Sequence, residues 1–83
     1  MPKYMDIHRN MQGKTTEQVA SAHKKDLQVQ DKYGVQFLKY WFDEDAGTVF
    51  CLSEAPSRDA AIAVHREANG SEPDESFEVQ EGS

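Results

Sequence analysis

Three histidines, one cysteine and a few acidic residues are the groups in this chain best suited to hold a metal or move a proton near neutral pH. Asp6 stands two positions before His8, and His23 three before Asp26, while Cys51 and Glu54 precede an isolated His65. Imidazole nitrogen and carboxylate oxygen form a ligand set for divalent transition metals. A histidine held by an aspartate is also what an oriented general base requires. The spacings match no HExxH or CxxC pattern, and no GxGxxG, P-loop or GxSxG is present. The sequence therefore carries no sign of a nucleotide or hydrolase site.

The elements that must position these residues can be read from periodicity and punctuation. Lys3 to His8 alternates Met5 and Ile7 against Asp6 and His8, which predicts a first strand. Thr15 with Gln18 three residues on fits a capping box, and a helix is expected from Thr16 to Tyr33, stopped by Gly34. Val35 to Phe42 and Thr48 to Ser53 are rich in aromatic and β-branched residues around the turn-forming Asp43–Gly47, the pattern of a hairpin. Ser57 caps a second helix carried by Ala60 to Ala68 and ended by Asn69-Gly70. Ser71 to Glu75 is a loop, Ser76 to Gln80 a fourth strand, and residues 81–83 a frayed tail. The order β-α-β-β-α-β predicts one ferredoxin-like α+β domain over 1–83, a four-stranded antiparallel sheet with both helices on one face.

On the first helix, steps of 100° place His23 between Val19 and Leu27 and bring Asp26 beside Val19, on the arc facing the core. On the second, His65 lies within the stripe marked by Ala61, Val64 and Ala68. The ordinary role of both histidines is a buried imidazole hydrogen-bonded to Asp26, Glu54 or a backbone carbonyl. His8 shares a strand face with Asp6, so if Met5 and Ile7 face the helices, His8 points away from them. That parity predicts two sites, or one site plus structural histidines. Cys51 sits mid-strand, where a buried inert thiol is expected, and Glu54 either caps the next helix or serves as a ligand. Trp41 and Tyr40 are expected to pack or form an interface.

The second strand offers apolar residues at Val35, Phe37 and Trp41 and also at Leu38, Tyr40 and Phe42, so both its faces need cover. Two helices cover one face, and a second subunit laid sheet to sheet is the simplest cover for the other. A pocket lined by exposed aromatics is the alternative. At 83 residues the chain builds one modest core, which self-association would enlarge. With 15 acidic against 9 basic residues and a net charge of −6, it repels phosphate backbones and anionic membranes, so nucleic acid and membrane are not expected partners. One cysteine excludes an internal disulfide and, with no targeting segment at the N-terminus, points to the cytoplasm.

Met5-Asp6-Ile7-His8, His23-Lys24-Lys25-Asp26-Leu27, and Val49 to Ser57 running into Val64-His65-Arg66-Glu67-Ala68-Asn69-Gly70 together resemble the small bacterial nickel-binding proteins of otherwise unknown function. The resemblance implies a ferredoxin-like dimer built around a central barrel of sheets. It implies a metal role for Asp6, His8, His23, Asp26, Cys51, Glu54 and His65. Where the family pattern would continue His-His, this chain has His8-Arg9, and a guanidinium offers no lone pair to a metal. The expectation is a dimer that binds nickel, or zinc or copper with similar ligands, for sequestration, delivery or sensing. The competing readings are a dimeric enzyme of oxygenase or isomerase type acting on an apolar molecule, with His23 and Asp26 as the base, and a ligand-free interaction module.

Overall fold

The chain runs β1 (Lys3–His8), α1 (Thr16–Val29), a 3₁₀ turn (Gln30–Tyr33), β2 (Gln36–Asp43), β3 (Thr48–Glu54), α2 (Arg58–Asn69) and β4 (Glu75–Val79) in a computed structural model that describes residues 1–83. Local chemistry accounts for the boundaries. Thr15 accepts from the Gln18 backbone while the Gln18 side chain accepts from the Thr15 backbone, satisfying two orphan donors at the start of α1. Ser57 accepts from Ala60 N–H at the start of α2. The expected first helix tightens to 3₁₀ geometry at Gln30 before Gly34, in left-handed conformation, turns the chain.

The strands lie in the order β2-β3-β1-β4, every pair antiparallel, which is the ferredoxin-like arrangement. A thickness of 18 Å corresponds to two layers, the sheet and the pair of helices on one of its faces. Tyr4, Phe37, Val49 and Cys51 from the sheet pack with Val19 of α1 and Ala61 and Val64 of α2. No helix is long and apolar enough to cross a membrane.

Two expectations about strand faces are corrected. In β1 it is Tyr4 and Asp6 that are buried toward the helices, with His8 on the same side; Met5 and Ile7 lie half-buried on the other face. Hydropathy favours the opposite parity, but Asp6 finds polar partners inside that Met5 and Ile7 do not need. In β2 a bulge at Leu38 breaks the alternation: Phe37 pairs with Ser53, but Lys39 pairs with Leu52. One extra residue exchanges the two faces of the strand. Phe37, Tyr40 and Phe42 therefore all face the helices, while Lys39 and Trp41 face away. The doubled apolar pattern in β2 comes largely from this switch. Leu27 is also exposed, and the inward arc of α1 runs through Val19 and Asp26 to Val29 instead.

The loop after β1 is fastened to the hairpin turn, where Met11 N–H donates to Gly47 C=O at 2.9 Å. A side chain at Gly47 would meet the Gln12 backbone nitrogen at 2.8 Å, and its φ of +63° disfavours other residues. Gly47→Ala is expected to destabilise the fold by about 1–2 kcal/mol in urea unfolding, the cost of left-handed backbone at a residue with Cβ plus the clash. Gly13→Ala, with open space around it, should cost less.

Candidate metal centre

The interior of the two-layer sandwich is organised by a histidine between two aspartates. His65, from α2, directs Nε2 to Asp6 Oδ2 of β1 at 3.0 Å and Nδ1 to Asp26 Oδ2 of α1 at 3.3 Å. All three residues are buried. The remaining carboxylate oxygens are also satisfied: Ser76 Oγ–H donates to Asp6 Oδ1 at 2.6 Å, and Asn69 Nδ2–H donates to Asp26 Oδ1 at 3.1 Å. Only an imidazolium has N–H donors on both sides. Burial opposes its charge, but hydrogen bonds and charge attraction from Asp26 and Asp6 prevail, raising its pKa to about 9.

His8 packs edge-on to His65, with ring centroids 4.6 Å apart. Burial and then the neighbouring His65 charge lower its pKa to about 4, so at neutral pH His8 is an uncharged imidazole with a lone pair available. Cys51 faces the same space from β3. Burial, then Asp26 and Asp6, push its thiol well above its usual range, the opposite of what activates a nucleophile. One ligand atom each from His8, Cys51 and His65 lies within 4.8 Å of the others.

These groups form the floor of a cavity of about 260 Å³ between the sheet and the helices. His23 of α1 lines it beside Tyr40, ring centroids 4.7 Å apart, and its Nδ1 is buried without a hydrogen-bond partner. Burial lowers the His23 pKa as well. Of the two expected arrangements, two separate histidine sites are not formed: His8, His23 and His65 all border one cavity, because β1 has the reversed parity, with His65 held in the clamp. Asp26 also borders it but pairs with His65 and Asn69 rather than with His23, so the His23–Asp26 base is not assembled. Glu54 lies elsewhere, opposite Lys3 and Gln36 on the helix-free face of the sheet. Arg9 turns outward, its Nε–H donating to Glu75 at 2.8 Å.

Residues 4–79 match the model of the family described as "Nickel responsive protein SCO4226-like". The chain belongs to this family. The crystal structure of SCO4226 from Streptomyces coelicolor A3(2) superposes with a TM-score of 0.92 at 42% identity, covering 98% of this chain and 99% of that one. No match is found among curated proteins. The SCO4226-like family is thus the one suggested by the residues around the histidines and by the Phe-Cys-Leu-x-Glu-Ala-Pro block, and the ferredoxin-like fold is shared along the whole chain.

Nothing in the sequence marks Ser76 or Asn69 as site residues, whereas Tyr40, read there as a packing or interface residue, packs on His23. Ser and Asn at helix and strand ends have ordinary capping roles, and nothing local shows that Ser76 reaches Asp6 or that Asn69 reaches Asp26. His65→Ala would leave two buried carboxylates without their cation. The expected loss is about 3–5 kcal/mol, read from urea unfolding of the metal-free protein. The wild type should be most stable near neutrality. His65, raised from 6.5 to about 9, gives stability that is complete below pH 6.5 and declines as pH rises through 9. His8, lowered from 6.5 to about 4, gives stability present above pH 6.5 and lost as pH falls through 4. An unfolding midpoint that does not vary between pH 4 and pH 10 would contradict both assignments.

Proposed function

We propose that this protein binds a divalent transition metal in the cavity between sheet and helices, nickel being the metal that the family's description indicates. The observation that carries the reading is the convergence of three histidines on one cavity, with His8 uncharged at its floor. Two buried aspartates to one imidazolium leave an excess of acidic groups there, an environment that favours a further cation. The donor chemistry fits. His8 offers a free lone pair, whereas Cys51 and His65 would each have to yield a proton. A ligating histidine commonly keeps its other ring nitrogen on a carboxylate, and Asp6 and Asp26 both stand ready to hold His65 in that way. One of the two aspartates then holds His65 while the other gives up its ring nitrogen to the metal, His23 is a further donor at the wall, and Glu54 on the other face takes no part.

Imidazole, thiolate and carboxylate ligands do not by themselves select nickel over zinc or copper. Sequestration, delivery or sensing suits such a site better than turnover, since the one carboxylate-held histidine, His65, is already protonated and His23 Nδ1 has no partner to orient it. Titration calorimetry of metal-stripped protein with nickel, zinc and copper should give saturable binding, weakened in His8→Ala by more than the roughly 10- to 100-fold lost when a residue that only supports a ligand is removed. Absence of saturable heat with every metal would overturn the proposal.

The active form is proposed to be a homodimer in the cytoplasm. Away from the helices the sheet carries Met5, Ile7, Phe50, Leu52, Trp41 and Phe77 across all four strands, with Trp41 48% and Phe77 47% exposed. A face of this kind is expected to be covered, and an isologous partner supplies the same apolar residues in return. Trp41→Glu should shift sedimentation from twice the chain mass to the single chain. A wild type that sediments as one chain at micromolar concentration would refute the dimer.

A further inference from the structure

The cavity is too large for a metal ion alone. A water molecule takes up about 30 Å³ in the liquid, so about 260 Å³ leaves room for several more atoms around any ion at the floor. Its wall also changes character with depth. Buried Val49, Cys51, Asp26 and His65 form the floor, and Asp6 behind His65 makes two aspartates to one imidazolium there. Other lining residues are exposed and open to solvent, among them Lys14, Gln18 and Ser71. The amine of Lys14 takes part in none of the ion pairs of the structure, which engage Lys3, Arg9, Lys32, His65 and Arg66 instead. An unpaired cation at the mouth of a site whose floor favours cations is unfavourable for a bare metal ion by Coulomb's law. It is favourable for a ligand that is positive at one end and negative at the other.

We infer that the cavity takes the metal as a complex with a small carboxylate chelator of amino-acid type, the metal meeting His8 at the floor and the carboxylate meeting Lys14 at the mouth. Such a chelator binds the metal through its amine and one carboxylate oxygen, leaving the other oxygen for the lysine. Apolar Val19, Ala22 and Met11 along the wall limit the chelator to a small side chain. The inference rests on metal binding at this site, and it makes Lys14 a specificity residue rather than a ligand.

The test compares nickel alone with nickel in millimolar glycine, by calorimetry on full-length wild type and Lys14→Ala. For nickel alone, removing the lysine charge should leave affinity equal or tighten it. With glycine present, the same substitution should weaken binding about two- to five-fold, the factor an exposed ion pair contributes, and Lys14→Arg should restore it. Glycine that lowers nickel affinity equally in wild type and Lys14→Ala would be acting only as a competitor, and the inference would fail while metal binding stood. If neither nickel nor nickel with glycine binds, the metal reading fails with it.

Discussion

A protonated imidazole clamped between two buried carboxylates is the interaction on which the rest of this structure depends. His65 joins α2 to β1 through Asp6 and to α1 through Asp26, so one ring ties together three elements distant in sequence. Desolvating such a group is costly, and a packed apolar core would often be as stable. What the clamp adds is uniqueness. If β1 slipped by one residue, Asp6 would move to the other face and His65 would lose a partner. Ser76 and Asn69 complete the arrangement by occupying the remaining oxygens, which leaves no buried carboxylate oxygen of the clamp unpaired.

The clamp also sets the chemistry of its neighbours. Burial, reinforced by the positive charge on His65, keeps the adjacent His8 neutral, and burial, reinforced by the two aspartates, keeps Cys51 a thiol. One histidine is thereby reserved for structure until a metal displaces its proton, and another is left with its lone pair exposed to the cavity. Arg9 occupies the position where a second consecutive histidine would be expected, and its pairing with Glu75 directs it to the surface.

The two faces of the sheet are divided by a single extra residue. Without the bulge at Leu38, either Phe37 or the pair Tyr40 and Phe42 would lie outside the core. With it, all three face the helices, Tyr40 packs on His23, and Trp41 joins the helix-free side. The cavity wall and the apolar outer face therefore arise from the same local irregularity.

The sequence by itself determined the order and type of the elements, because those signals are local. Capping at Thr15 and Ser57, the stops at Gly34 and Asn69-Gly70, and the acidic hairpin turn all act over three or four residues. Helical periodicity also sufficed to turn Asp26 and His65 inward. The parity of β1 was settled only in three dimensions, since hydropathy along the strand favours Met5 and Ile7 inward and the fold places Tyr4, Asp6 and His8 there instead. The choice came from a hydrogen bond spanning 59 residues of sequence, between Asp6 and His65. The same holds for the bulge and for the meeting of three histidines at one cavity. Each depends on which strand lies next to which, and no window of the chain contains that information.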